Sequence, residues 1–295
     1  MKLFLSKFFK FLILFLILFI GLDVFVFPNN DNQMHAKYKL LQNKQNSEVL
    51  ILGNSHTFFG INPEKSSFKM MNIANKGRKI ETDYFLLKEN ITNLQGVKFV
   101  ILPISHCKIH AVALNAQEKR LYYNYYKIKE YKQSFLKNSL LFNEPFRELV
   151  NDALFKNNKI NSLGWRANSE IYKKDTIKIK NRIFDAEGDT YQGEAINCSE
   201  NYILKITELC KKKNKKLVIL IPPYHPDYYI FSNQLYQKRM RNQLITLAKK
   251  YHIIFIDGKK LGIKKDSLFE NVDHLNIKGA TVFTKKLDSI LKFYL

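Results

Sequence analysis

The stretch Val49-Leu50-Ile51-Leu52-Gly53-Asn54-Ser55-His56 decides the fold class of this chain. Its four leading apolar residues are typical of a strand that is buried on both faces, as in a parallel sheet. Ser55 stands just past that strand, where the next helix would begin. Open α/β sheets form their sites at the carboxyl ends of their strands. We therefore predict that the Ser55 hydroxyl is exposed at this edge.

Apolar strands and amphipathic helices alternate on both sides of this stretch. The predicted strands are Glu48–Leu52, Lys69–Ile73, Lys98–Ile104, Lys216–Ile221 and Ile253–Ile256. The predicted helices are Lys79–Thr92, Ser199–Lys213 with Ser199 as its cap, Gln234–Tyr251, and a last helix that Asn276 caps and that runs to about Phe293. This rhythm predicts an α/β fold with a doubly wound, mainly parallel sheet.

The alternation lapses between Ser105 and Asn197, and we interpret residues 105–197 as an inserted cap region. The segment holds five aromatic or amide residues in a row, Tyr122 to Tyr126, and the only tryptophan, Trp165. These aromatic side chains suit either stacking on sugar rings or packing a small helical cap, and packing is the more common role.

The N-terminal segment Phe11–Phe27 is almost wholly apolar, and Lys2, Lys7 and Lys10 precede it. Seventeen residues lie at the short end of the range for a membrane-spanning helix. The positive-inside rule then places the N-terminus in the cytoplasm and the rest outside the inner membrane. A cleavable signal peptide is the competing interpretation, but no small-x-small cleavage pattern follows. We predict a basic stub (1–10), an anchor (11–27), a polar tether (28–46) and an α/β domain (47–295).

The composition narrows the possible partners. The formal net charge of +22 favours anionic partners, namely nucleic acid, acidic lipid headgroups or acidic polymers. Export across the membrane disfavours nucleic acid. Cys107, Cys198 and Cys210 are too few for a disulfide framework, and no spacing resembles a zinc site, so neither a metal nor a cofactor is predicted.

Ser55 and His274 make a candidate nucleophile and base. One follows the first strand and the other precedes the last helix, so an α/β sheet can bring the two together. A serine hydroxyl needs such a base for attack on an ester, and backbone N–H groups at a helix N-terminus can hold the oxyanion. The simpler alternative is a helix-capping serine and an incidental histidine in a capped turn.

Three blocks of sequence resemble those of the SGNH/GDSL superfamily of serine esterases and acyltransferases. They are Gly53-Asn54-Ser55-His56, Asn72-Ile73-Ala74-Asn75-Lys76-Gly77, and Phe269 to Asn276, which contains Asp273-His274. The resemblance implies a flavodoxin-like SGNH fold, with Ser55 and His274 as catalytic residues. It also makes Gly77 a donor to the oxyanion hole.

The chain departs from the superfamily pattern at two places. Many relatives carry the triad aspartate three residues before the histidine, where this chain has Asn271, so Asp273 takes that role with Asn271 as the alternative orienter. The block that usually offers an oxyanion-hole Asn is here Ser105-His106-Cys107. The hole then rests on Ser55 and Gly77, with Ser105 as a further candidate. Asn54, His56 and His106 are pocket candidates, as are His110 and His225 near other strand ends.

The resemblance extends to membrane-anchored proteins of alginate O-acetylation and teichoic-acid D-alanylation. It implies a serine acyltransferase or esterase that acts on O-acyl groups of a cell-surface or exported polysaccharide. It also implies a multi-spanning membrane acyltransferase as partner. Two alternatives stay open, an esterase with water as acceptor and a non-catalytic, membrane-tethered glycan-binding or assembly protein on the same fold.

Overall fold

The computed structural model describes residues 1–29, 32–43, 46–105, 113–154, 160–187 and 194–295, with 194–199 as backbone only. Its sheet has five parallel strands in the order β2-β1-β3-β4-β5. The strands are β1 Val49–Ile51, β2 Met70–Asn72, β3 Phe99–Pro103, β4 Lys216–Ile221 and β5 Ile254–Asp257. This order is that of the flavodoxin-like doubly wound fold. The predicted fold class is confirmed.

The helices of the described residues alternate with the strands and fill the gaps between them. They are α1 Lys2–Gly21, α2 Gln33–Asn43, α3 Ser55–Gly60, α4 Ile80–Asn90, α5 Ala116–Tyr126, α6 Phe135–Asn138, α7 Leu140–Asn143, α8 Phe146–Leu154, α9 Thr176–Glu187, α10 Glu194–Lys212, α11 Pro226–Phe231, α12 Gln234–Tyr251 and α13 Ile277–Phe293. Helix α10 begins before Ser199, so the predicted cap at Ser199 is wrong. Residues 194–199 contain neither proline nor glycine, and nothing there stops the helix.

The chain divides into two compact units. The first, which we call the N-terminal unit, comprises Met1–Tyr38 and Leu114–Lys159, and the second, the sheet unit, comprises Lys39–Ala113 and Ile160–Leu295. The predicted insertion is therefore divided between them. Its later part belongs to the sheet unit because Tyr172, Ile179 and Ile183 are buried in the core of that unit.

The core of the sheet unit lies on both faces of the sheet. Every residue of β1 and β3 is buried, as expected for parallel strands that helices cover on both sides. The predicted polar tether also contributes, because α2 lies within it and its Leu40 and Leu41 are buried in this core. Each such side chain stabilises the fold by about 1.5–3 kcal/mol.

The turns after β1 and β2 are joined by backbone hydrogen bonds at the carboxyl edge. The N–H of Ile73 donates to the carbonyl of Ile51, and the N–H of Asn75 donates to that of Gly53. Gly53 has φ +104°, and a Cβ there would lie 2.0 Å from Cγ of Pro103. Only glycine fits this turn, which brings the chain round to Ser55 at the start of α3.

Asn276 fixes the loop that precedes α13. Its Oδ1 accepts hydrogen bonds from the N–H groups of Lys278 and Gly279, as predicted for the cap of this helix. Its Nδ2 donates to the carbonyls of Glu170, Ser267 and Phe269. One amide therefore holds the start of the helix and two neighbouring segments together.

The N-terminal unit contains a long apolar helix and the short helices α5 to α8. Residues Lys2–Asn29 form one helix that is long and apolar enough to cross a membrane, which a signal sequence would also satisfy. Its first part, α1, contains no buried residue. Its last part packs within the unit, where Phe27 joins a small core with Tyr125, Leu140 and Leu149.

Four of the aromatic residues singled out in the predicted insertion are buried. Tyr122, Tyr125, Tyr126 and Trp165 are each less than a tenth exposed. The Trp165 indole N–H donates to the carbonyl of Phe59 at 2.8 Å, within the sheet unit. These side chains therefore pack in the protein, as the more common role predicts.

Candidate active site

Ser55 and His274 meet at the carboxyl edge of the sheet. The Ser55 Oγ lies 2.8 Å from Nε2 of His274, although the two residues are 219 positions apart in the chain. Ser55 is the first residue of α3, so the chain reaches it directly from β1 through the Gly53 turn. His274 comes from the loop that Asn276 fixes. A serine hydroxyl at hydrogen-bond distance from an imidazole is the geometry that a nucleophile and its base require.

Asp273 lies against the other nitrogen of His274, with its Oδ1 3.3 Å from Nδ1. Burial alone would raise the pKa of the Asp273 carboxyl. Electrostatic attraction and a hydrogen bond to His274, together with the contact to His56, hold that pKa well below its usual value. Asp273 is therefore a buried carboxylate that favours a proton on Nδ1 and leaves the Nε2 lone pair to Ser55.

Arg182 of α9 completes the group. Its Nε lies 3.0 Å from Oδ1 of Asp273, and its Nη2 lies 3.0 Å from Oδ2. Nη2 is also 3.4 Å from Nδ1 of His274. Such a bidentate, charge-assisted pair fixes the plane of the carboxylate and supplies a counter-charge to it.

Asn271 acts on the backbone of the loop. Its Oδ1 accepts hydrogen bonds from the N–H of Asp273 at 3.1 Å and from the N–H of His274 at 2.9 Å. The amide thus holds the turn that presents both side chains. Of the two candidate orienters, Asp273 is the one whose side chain faces the imidazole.

The His56 ring packs beside the His274 ring. The two rings stack with centroids 4.9 Å apart. His56 Nδ1 lies 3.1 Å from Oδ1 of Asn54, and Nδ2 of Asn54 donates to Oγ of Ser105 at 2.9 Å. Burial lowers the pKa of His56 and outweighs the hydrogen bond to the Asp273 carboxylate, which raises it. The neutral form of His56 is therefore favoured, and Asn54, which Ser105 contacts, supports the ring on its Nδ1 side.

The predicted oxyanion-hole residues lie around the same edge. The N–H of Ser55 is at the N-terminus of α3, where backbone donors point out of the helix. Gly77 has φ +65°, in the left-handed region, in the turn that follows β2. The roles of Gly77 and Ser105 as oxyanion donors stay predictions. His106 and His110 lie outside the described residues.

A cleft of about 500 Å³ opens over Ser55 and His274. Its lining is mostly polar or charged, and consists of Ser55, Phe59, Lys76, Arg166, Ala167, Asn168, Glu170, Arg182, Glu270, Asn271 and His274. A second cleft of about 580 Å³ shares Glu170, Arg182, Glu270 and Asn271 with it. The candidate nucleophile thus faces space that a substrate of several polar groups can enter.

His56, Asp273 and His274 are also the described residues that could jointly hold a metal ion, since their ligand atoms lie within 4.8 Å of one another. The Arg182 guanidinium already lies against the shared carboxylate. It provides the positive charge that a metal would bring, and it would have to leave before one could bind. The group therefore fits a hydrogen-bonded triad better than a metal site.

Sequence reasoning missed Arg182 and four other charged residues of the cleft, Lys76, Arg166, Glu170 and Glu270. Arg182 lies in a lysine-rich helix, where one more basic residue carries no signal. The helix period offers a clue, because Arg182 follows Ile179 by three positions and precedes Ile183, and both isoleucines are buried. An arginine beside a buried helix face has its charge near the core and needs a partner.

No protein-family model and no curated protein matches the chain. It is similar to a solved structure described as a lipolytic protein of the G-D-S-L family from Desulfitobacterium hafniense, with 12% identity, a TM-score of 0.45 and coverage of 83% of this chain and 99% of that one. It is also similar to a GDSL-like lipase from Bacteroides thetaiotaomicron, with 12% identity, a TM-score of 0.43 and coverage of 88% and 100%. A third is described as an arylesterase from Agrobacterium tumefaciens, with 11% identity, a TM-score of 0.44 and coverage of 84% and 100%.

Proposed function

We propose that this chain is a membrane-anchored serine acyltransferase or esterase that acts on O-acyl groups of a cell-surface or exported polysaccharide. The observation that carries the proposal is the 2.8 Å separation of the Ser55 Oγ and the His274 Nε2 beneath an open cleft. A helix cap alone would not require an imidazole at this position. The sequence resemblance supplies the substrate class.

In the proposed reaction, Nε2 of His274 takes the Ser55 proton while Oγ attacks the acyl carbon of an ester. The imidazolium that forms is stabilised by the Asp273 carboxylate, which Arg182 holds in plane. N–H groups of Ser55 and Gly77 hold the oxyanion. His274 then protonates the leaving oxygen, and an acyl-serine remains.

The second half transfers the acyl group to a hydroxyl. His274 removes the proton of the acceptor, which attacks the acyl-serine, and Oγ of Ser55 regains a proton from the imidazolium. The polar lining of the cleft favours an acceptor rich in hydroxyl groups, such as a sugar. Water as acceptor makes the same chain an esterase.

The N-terminal helix supports the proposed location. Its apolar length and the lysines in its first ten residues favour a single span of the inner membrane, with the N-terminus inside and the catalytic unit outside. A multi-spanning membrane acyltransferase that delivers the acyl group is the partner that the resemblance suggests.

A serine-directed fluorophosphonate probe tests the nucleophile. We expect the wild-type chain to be labelled and Ser55→Ala to lose labelling completely. Ser267→Ala is the matched control, because Ser267 is exposed and lies in the same unit. Labelling that is absent from the wild type, or that survives in Ser55→Ala, would contradict the proposal and favour the non-catalytic, glycan-binding alternative.

A product assay separates transfer from hydrolysis. The chain is supplied with an activated acetyl ester and an excess of a sugar acceptor, and both products are measured by mass spectrometry. Acetylated sugar that depends on Ser55 supports the transferase, whereas free acetate alone supports the esterase.

A further inference from the structure

The N-terminal unit presents an exposed apolar surface on its short helices. Phe135, Leu136, Phe142 and Phe146, which we call the apolar platform, are 52%, 62%, 59% and 60% exposed. They lie on three consecutive helices, α6, α7 and α8. Exposed apolar residues scattered singly are ordinary, but a group of this kind marks a surface that contacts a partner or a membrane.

The platform is not the inward face of these helices. The small core of the unit is formed by other residues, among them Leu140 of α7 and Leu149 of α8. The helices thus have one apolar face in the core and further apolar side chains in contact with the surroundings. Lys137 and Arg147 directly follow Leu136 and Phe146, and both are exposed. Long basic side chains beside apolar ones are suited to the boundary between acyl chains and anionic headgroups.

The platform adjoins the end of the apolar helix. The ring of Phe142 lies 5.0 Å from that of Phe19, near the end of α1, and the ring of Phe146 lies 6.4 Å from that of Phe27. Asp23, which is buried, accepts a hydrogen bond from the N–H of Leu141 at 3.0 Å. The platform is therefore fastened at the level where the helix would leave the membrane.

The length of α1 agrees with this level. Its 20 residues span roughly 30 Å at 1.5 Å per residue, which matches the hydrocarbon thickness of a bilayer. The inference therefore shifts the span from the predicted 11–27 towards the N-terminus, and the side chains of Lys7 and Lys10 must extend to the cytoplasmic headgroups. The residues that follow, from Leu22 to Asn29, include the buried Asp23, Phe27 and Pro28. Protein rather than lipid thus covers this end of the helix.

We propose that the apolar platform lies in the interfacial region of the bilayer that α1 crosses, with phospholipid as its partner. The inference rests on the membrane anchoring in the proposed function and goes beyond it. The chain would then contact the membrane in two ways, through the α1 span and through a platform inserted into the interface of one leaflet. The second contact fixes the tilt and rotation of the N-terminal unit, which a single helix leaves free.

Lipid-dependent fluorescence quenching tests this inference in the full chain. The chain is reconstituted in nanodiscs of phosphatidylcholine and phosphatidylglycerol, with and without bromine on the acyl chains. Phe142→Trp and Phe146→Trp report on the platform, and the wild type, whose single tryptophan is Trp165, gives the background. Phe15→Trp reports on the span. Lys129→Trp, at an exposed charged position of the same unit, controls for non-specific collision.

We expect brominated lipid to remove most of the added emission of the platform variants and of Phe15→Trp, and little of that of Lys129→Trp. Loss of emission from Phe15→Trp alone would overturn the platform and leave the span intact. Equal loss from Lys129→Trp and the platform variants would also overturn it. Unquenched Phe15→Trp would instead contradict the membrane anchoring. Circular dichroism melts establish that each variant is folded.

Discussion

Two buried histidines of the sheet unit, His274 and His225, have similar surroundings and opposite hydrogen bonding. Each lies close to carboxylates, and the two are neighbours through the loop 269–276, since the His225 N–H donates to the carbonyl of Val272. His225 Nδ1 accepts from the N–H of Asp227, and its Nε2 lies 3.0 Å from Oδ1 of Asp266. The lone pair of His225 is thus used by the backbone.

His274 has the reverse arrangement. Its Nδ1 faces the carboxylate of Asp273, which leaves the lone pair on Nε2 for the Ser55 hydroxyl. A histidine beside a carboxylate is therefore not enough to indicate a base. What decides is which nitrogen carries the proton and what the other nitrogen meets.

Removal of each histidine in turn should show the largest contrast. We expect His274→Ala to lower kcat/KM for an ester substrate by about 10⁴-fold or more, since the serine loses its base. His225→Asn keeps an oxygen that can cap α11, and it should leave kcat/KM within a few-fold of the wild type. Steady-state kinetics on both variants makes the measurement. Comparable losses of kcat/KM in the two variants would contradict the assignment of His274, and not His225, as the base.

Substitution of the two candidate orienters of His274, Asp273 and Asn271, should give the next largest difference in kcat. Asp273→Asn should lower kcat by about 10³ to 10⁴-fold, because an amide cannot stabilise the imidazolium as a carboxylate does. Asn271→Ser, which keeps a short oxygen acceptor for the backbone N–H groups, should cost far less. If Asn271→Ser proves the more damaging of the two at full fold stability, Asn271 rather than Asp273 governs the base.

Two buried carboxyl groups, Asp273 and Asp83, also differ, because the pKa of Asp273 is lowered and that of Asp83 is raised. Burial raises the pKa of Asp83 from 3.8 to about 6, against the opposing effects of Arg78 and of the Gly53 N–H that donates to it. Because the folded state binds this proton more tightly, the stability that it contributes is present below about pH 4 and is lost as pH rises through 6. This rise in the pKa corresponds to about 3 kcal/mol in the free energy of unfolding.

Asp83→Asn removes this titration. The unfolding free energy of the wild type minus that of the variant should therefore fall between pH 4 and pH 7, as measured by denaturant titration in detergent. Glu64→Gln, at an exposed acidic position of the sheet unit, serves as control. A difference that stays constant with pH would show that Asp83 does not carry this proton in the folded chain.

Arg182 should give the smallest of these effects. Arg182→Gln removes the bidentate pair with Asp273 but leaves the Asp273–His274 contact, so we expect kcat to fall about tenfold with little change in KM. Lys178→Gln is the matched control on the same helix, because the Lys178 ammonium forms an ion pair with the nearby Asp175. An equal loss in both variants would assign the effect to the charge of α9 as a whole.

The sequence predicts the sheet well because its strands are short apolar runs with clear ends. The observed β4, α12 and the Asn276 cap lie at the predicted positions. The pairing of Ser55 with His274 was also predictable, since both stand at the same edge of a parallel sheet.

The rest depends on contacts that no local pattern encodes. Helix α2 has a mostly polar sequence, so the segment resembles a tether, although its Leu40 and Leu41 are buried in the core. Arg182 approaches Asp273 from 91 residues away. The backbone role of Asn271 depends on the turn that it stabilises, which the residues alone do not reveal.

The amide of Asn276 has a kinetic consequence. It joins the base-bearing loop, the segment at Glu170 and the first turn of the last helix, so these parts should open and close as one cooperative unit. Hydrogen exchange at Lys278 and Gly279 would then report how often the base leaves the serine. Gentle heating should abolish the proposed activity through this opening while the strands beneath remain folded.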